Sequence, residues 1–211
     1  YGVTPSGAPV YRIPIEMTEG IGGMTPRLAV SYAGPATRSI LGVGFALEGL
    51  SSITRCPQTI AQDGVAAAPV IASTDRYCLG GSRLRLVSGT YGATDSVYRT
   101  EVDQVVRITA KASVGNIPGW FQVETRDGRI YEYGNSATSR LMQDLSPYLT
   151  PIRWSVNRVA DRFGNAITIV YDTDQPNRRH RPLQIDYTVS NAGAAPYRIV
   201  FQYQGDERGD P

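Results

Sequence analysis

Few side chains in this sequence are equipped for chemistry. His180 is the one histidine among 211 residues, which excludes relays and metal sites that need two imidazoles. Cys56 and Cys78 lie 22 positions apart and neither belongs to a Cys-x-x-Cys pair. With one distant histidine they are too few for structural zinc. They form either a disulfide, which would close a loop worth about 3 kcal/mol in the chain-entropy view, or two buried, inert thiols. A cysteine nucleophile would need a neighbouring base, and the only imidazole lies far downstream. Glu48, Asp63, Asp75, Glu101 and Asp103 could supply paired carboxylates for glycoside hydrolysis, but separation in space decides that chemistry. The preferred reading is structural: Asp63-Gly64 and residues 161–164 make turns, and Glu101 pairs with an arginine such as Arg76 or Arg99. Acid-rich turns without an alternating Asp cluster leading to Gly give no calcium loop. No catalytic residue, cofactor or metal ligand is therefore assigned.

The elements that must position these residues are strands. Gly and Pro together number 22 and 14, a turn-rich composition, and 13 Tyr against 4 Phe favours strands with half-exposed faces. Alternation marks residues 10–16, 28–32, 83–87, 102–110, 120–125, 129–133, 152–156 and 167–171. It is clearest in Tyr197, Ile199, Phe201 and Tyr203. Arg126-Asp127-Gly128 is a tight hairpin signal, and Asp161-Arg162-Phe163-Gly164-Asn165 makes a second turn of related form. Glycines at 42, 44 and 49 lead into β-branched residues and a turn, which argues close backbone approach and not a phosphate loop. Residues 139–145 alone read as helical, about two turns. Trp154 shares an apolar strand face with Ile152 and Val156 and reads as core. His180, within Asn177-Arg178-Arg179-His180-Arg181, reads as part of an exposed hairpin loop. The expectation is an all-β chain of antiparallel hairpins forming a curved sheet or sandwich, with at most one or two short helices.

Lys111 is the only lysine, so arginines make up the rest of the 21 basic residues, and the net charge is only +2. No basic block stands out, which argues against nucleic-acid binding by bulk electrostatics. No apolar run approaches the length of a membrane span. The chain starts at Tyr1 and reads as a piece, residues 1–211, of a much larger protein.

Several segments together resemble the SpvB/TcaC-type N-terminal domain of virulence-plasmid proteins and of insecticidal toxin complex B components. They begin with Gly2-Val3-Thr4-Pro5-Ser6-Gly7-Ala8 and Gly20-x-Gly22-Gly23-Met24-x-Pro26. They continue through Leu41-Gly42-Val43-Gly44-Phe45 and Ile53-x-Arg55-Cys56-Pro57. Asp75-Arg76-Tyr77-Cys78-Leu79-x-Gly81-x-Arg83-Leu84, Tyr98-Arg99-Thr100-Glu101 and the closing Phe201-x-Tyr203 before Arg208-x-Asp210 complete the series. The Asp127-Gly128 and Asp161–Gly164-Asn165 hairpins resemble the RHS/YD repeats that commonly follow this domain.

The resemblance implies a non-catalytic module of a secreted toxin, one piece of β-sheet wall in a shell around a separate C-terminal toxin. Implied partners are downstream modules of the same polypeptide, a β-propeller or YD repeats, and other toxin-complex subunits. The alternatives are a carbohydrate- or cell-surface-binding module and an enzyme of the glycosidase or ADP-ribosyltransferase type. For the transferase, Glu101-Val102-Asp103 and Ser51-Ser52 are only distant approaches to the required Glu-x-Glu and Ser-Thr-Ser elements.

Overall fold

The structure, a computed structural model, describes residues 2–3, 9–32, 34, 38–102, 105–145, 148–175, 179–189 and 196–203. Asp103, Asn177, Arg178, Arg208, Asp210 and positions 4–8 of the opening motif lie outside the described residues.

The chain is nearly all strand, as its alternation predicts. In order the strands are β1 (Gly2–Val3), β2 (Pro9–Pro14), β3 (Ala29–Tyr32), β4 (Arg38–Ser39), β5 (Gly42–Val43) and β6 (Phe45–Glu48). Then come β7 (Ser52–Cys56), β8 (Arg76–Leu79), β9 (Ser82–Ser88), β10 (Val97–Thr100), β11 (Val106–Lys111) and β12 (Trp120–Thr125). The last six are β13 (Ile130–Tyr133), β14 (Arg140–Leu145), β15 (Tyr148–Ala160), β16 (Ala166–Asp174), β17 (Arg179–Val189) and β18 (Tyr197–Val200). One helix of four residues, α1 (Ile60–Asp63), lies between β7 and β8, and a 3-10 turn spans Ile21–Gly23.

Neighbouring strands from β7 to β13 pair antiparallel in sequence order. The sheet closes because β15 takes β7 on one edge, at Trp154↔Ile53, and β13 on the other, at Val159↔Tyr131. The expected curved sheet is thus a barrel of eight strands. Hairpin partner β14 and the run β16–β17–β18 extend from β15 beyond it. A separate sheet, ordered β1–β2–β3–β6, stands apart from the barrel strands.

Alternation sends one side chain in two into the barrel, and large rings fill it. Trp154, Tyr77, Tyr98 and Phe121 are all fully buried. Trp154 meets Tyr77 and Phe121 edge to face, at 5.4 and 5.3 Å between ring centroids, a favoured arrangement for aromatic quadrupoles. Its indole N–H donates to the carbonyls of Pro118 and Gly119, both at 3.1 Å, so its own buried polar atom is satisfied. Glycine is needed where backbones cross closely: a Cβ on Gly49 would sit 2.1 Å from the Arg27 carbonyl oxygen, and φ there is +103°.

Two sequence expectations fail locally. Residues 139–145 are not helical; β14 pairs with β15 from Arg140↔Trp154 to Leu145↔Tyr148. The alternation assigned to residues 102–110 begins only at Val106, and Val102 is exposed.

Candidate functional site

Four of the residues singled out by motif, Cys56, Cys78, Arg83 and Glu101, line one cleft of about 610 Å³. Thr59 and Gln62 line it too. The two cysteines are bonded, with Cα atoms 5.8 Å apart, as their places on adjacent strands allow: Cys56 pairs with Arg76 and Cys78 with Thr54.

Arg55, opposite Tyr77 in the β7–β8 ladder, has a side chain only 3% exposed and lies against the aromatic core. Its guanidinium carbon is 5.7 Å from the Tyr77 ring and 5.9 Å from Trp154. Nη1 donates to Asp75 Oδ2 at 2.8 Å and to the Ala72 carbonyl at 2.7 Å, and Nε donates to the Pro151 carbonyl. The same Asp75 carboxylate accepts the backbone N–H groups of Val70 and Ile71. One buried ion pair therefore ties the loop before β8 to the barrel. Removing one partner of such a pair typically costs about 3–5 kcal/mol, because the other is left charged and unmet.

A second clamp sits at the cleft wall. Asp63, at the end of α1, accepts Arg83 Nη2 on both oxygens at 2.6 and 2.7 Å, Arg76 Nε at 2.8 Å and the Thr59 N–H at 2.9 Å. The Arg83 guanidinium holds this carboxyl well below the usual carboxylate range, helped by the Thr59 and Arg76 donors. Arg76, one of the two arginines that the sequence reading offers to Glu101, is thereby committed to Asp63. Glu101 accepts a hydrogen bond from Gln62 Nε2. Arg99 stands on the exposed face of β10.

The two motif hairpins form a third cluster. Gly128 closes the β12–β13 turn by donating to the Thr125 carbonyl, and Asp127 accepts the Thr125 hydroxyl. Asp161 binds its own loop through the N–H groups of Phe163 and Asn165 and the Asn165 amide, while the Gly164 N–H reaches the Asp161 carbonyl. The Ile21–Gly23 turn lies over this pair of hairpins: a Cβ on Gly22 would sit 3.2 Å from Asp161 Oδ2, and Arg129 Nη2 donates to the Gly23 carbonyl.

His180 corrects the sequence reading most sharply. It lies within β17, not on an exposed loop, with its ring stacked 4.7 Å from Tyr171. Nε2 is 2.7 Å from Ser155 Oγ and Nδ1 is 2.8 Å from Thr173 Oγ1. Sequence reasoning missed this cluster, although Thr173↔His180 is a cross-strand pair that a correct hairpin register would supply.

Chemically, each acid of the cleft is taken up by donors of the same chain. Among the described residues no three His, Cys, Asp or Glu side chains converge as metal ligands would. Apolar side chains of the smaller sheet are exposed. On one face of the β2–β3–β6 sheet, Tyr11, Tyr32 and Phe45 form one row, and Ile13, Val30 and Leu47 the next. Tyr11 is 52% exposed, Ile13 48% and Phe45 41%. Of the two rows only Leu47 reaches the buried core.

Solved structures share this architecture. The N-terminal domain of effector protein SpvB from Salmonella typhimurium strain LT2 superposes with a TM-score of 0.67 at 16% identity, over 89% of this chain and 66% of that one. A chain of the Photorhabdus luminescens Tc holotoxin pore gives 0.71 at 18% identity, over 95% of this chain and 11% of its own length. TcdB2-TccC3 gives 0.67 at 17% identity, over 92% and 11% respectively. No protein-family model and no curated protein matches the sequence. At these identities the likeness is one of fold, and this chain spans about a tenth of the toxin-complex chains.

Proposed function

We propose that this chain is a non-catalytic assembly module of a large secreted bacterial toxin of the Tc or RHS type. It supplies β-sheet wall to a shell around a separate toxic segment. The observation that carries this reading is the uncovered face of the β2–β3–β6 sheet. Tyr11, Ile13 and Phe45 of that face are exposed, while the acids of the polar clusters are held by arginines of the same chain. Contiguous apolar surface of this kind marks a place where another module packs. The fold shared with Tc chains supplies the context in which such a module sits. Its partners in this reading are downstream modules of the same polypeptide, a propeller or YD repeats, and other complex subunits.

The test compares wild type with the double substitution Tyr11→Glu, Ile13→Glu, both in the isolated chain and with its natural flanking sequence. The isolated chain should keep its melting temperature, because exposed substitutions move stability by only about 0.5 kcal/mol. In the longer protein the pair should abolish protease resistance of the enclosed segment. An intact, resistant shell in the double variant would sink the proposal. Glycan binding by the isolated chain, lost in that variant, would assign the face to carbohydrate instead.

A further inference from the structure

Beneath the segments that lead into β3 and out of β6 lies a cavity of about 150 Å³. Its floor is one face of β15, β16 and β17. Val159 and Ile167 are cross-strand neighbours in one row and Ile169 and Ile185 in the next, with Val156 beside them. All five are buried hydrocarbon. The roof carries short side chains, Thr25, Pro26, Gly49 and Ser51, and its two segments cross closely where Gly49 meets the Arg27 carbonyl. β-Branched side chains held on strands have little rotamer freedom with which to fill the space between. Two guanidinium groups complete the wall. Arg27 is exposed, and no ion pair among the described residues engages it. Arg129 is half-buried and reaches Asp127 at 3.3 Å and the Gly23 carbonyl at 3.4 Å, two long contacts that leave further N–H donors. The roof hydroxyls are already bonded, Thr25 Oγ1 to the Gly20 N–H and Ser51 Oγ to the Tyr133 hydroxyl.

An apolar cavity of about 150 Å³ is large enough to take a molecule the size of benzene. Water suits such a floor poorly, since an ordered water needs two or more polar partners and the five floor side chains offer none. The polar groups that remain for a ligand stand at the exposed end and are cationic. We propose that this cavity binds a small apolar carboxylate, whose hydrocarbon body enters the aliphatic floor while its carboxylate meets Arg27 and Arg129.

Three features favour this class of ligand. Size excludes a nucleotide or a long acyl chain, because sites for larger ligands run to about 300–1,000 Å³ and this one holds a ring or a short chain. Charge favours a single anion. Asp127 stands beside Arg129, so the two guanidiniums face one acid and the wall keeps a net positive charge suited to one carboxylate, which a guanidinium meets with two parallel hydrogen bonds. The site is also built in advance. Its floor is a paired sheet and its roof is locked at the Gly49–Arg27 crossing, so binding orders little besides the ligand and two arginine side chains.

The experiment follows the methyl resonances of Val159, Ile169 and Ile185 in the full chain as sodium benzoate is added. Benzyl alcohol supplies the ring without the charge, acetate the charge without the ring, and phenyl phosphate a larger head on the same ring. Benzoate should shift these methyls saturably, with a Kd of about 1 mM or tighter. Benzyl alcohol and phenyl phosphate should bind about tenfold more weakly, and acetate should leave the methyls unmoved. Arg27→Gln should weaken benzoate about tenfold and leave benzyl alcohol as it was, a split that a merely structural change would not produce. Its melting temperature should stay unchanged, because the side chain is exposed. Val159→Ile, which adds a methyl group to the floor, should weaken both ring ligands. If that variant unfolds, Arg27→Lys is read instead and should retain more benzoate affinity than Arg27→Gln. Arg85→Gln, on β9 and outside the lining, should bind as wild type does. Absent saturation by benzoate, equal affinity for benzoate and benzyl alcohol, tighter binding of phenyl phosphate, or unchanged benzoate affinity in Arg27→Gln would each overturn the proposal.

Discussion

At the scale of the residue, His180 is the clearest case of chemistry set by neighbours. Thr173 gives its one hydroxyl proton to the Thr138 carbonyl at 2.6 Å, so it must accept from His180 Nδ1–H. That fixes the tautomer and leaves Nε2 to accept the Ser155 hydroxyl. The pair has the look of a serine nucleophile and its base, yet the third group is a threonine and not a carboxylate. Burial, with the Arg153 cation nearby, pushes the imidazole down to about 4. A histidine neutral when folded and protonated when unfolded makes stability depend on acid. The unfolded chain takes up the proton between its ordinary value near 6.5 and the folded value, so stability falls as pH drops across that window. It levels below about 4 as far as this group is concerned. Denaturant midpoints at pH 7, 5.5 and 4.5 should show this slope in wild type and lose it in His180→Gln. Equal slopes would overturn the neutral assignment. The depressed aspartates, Asp63 and Asp186 among them, act mainly in more acid solution, and Glu48, also depressed, adds to the slope only at the acid end of the window. The sequence shows a polar run around His180, which reads as a loop. The partners that bury it come from β15 and β16, and no local pattern names them.

At the scale of the element, the chain's hairpin chemistry was open to sequence reading and its pairings were not. Asp127-Gly128 and Asp161–Asn165 form turns because Asp side chains and positive-φ glycines make them locally. Residues 139–145 read as helix because Leu141 and Leu145 are spaced four apart. The ladder to β15 overrides that weak preference. The loop from β7 to β8 carries α1, and both acid clamps and the Cys56–Cys78 bond hold it down. Replacing both cysteines by serine should lower stability by about 3 kcal/mol, the worth of closing a loop of this size. Denaturant unfolding of the double variant against the oxidised wild type checks this. A loss below about 1 kcal/mol would mean that the clamps hold the loop without the bond.

At the scale of the whole molecule, alternation announces sheets but not closure. Closure depends on β15 being long enough to serve β13, β14, β7 and β16 along its two edges. Amide hydrogen exchange should report the resulting hierarchy. Amides of β8, β11 and β12, inside the ring, should exchange only with global unfolding. Those of β2 and β18, with exposed side chains and fewer neighbours, should exchange sooner. Uniform protection, or slowest exchange in β2, would contradict a barrel-centred core. The β7–β15 seam also orders the protein's birth. During synthesis β7 emerges early and must wait, with an unpaired edge, until β15 follows at the far end of the barrel sequence. The barrel is thus a fold of high contact order, slow to complete and most exposed to misassembly until β15 has been added.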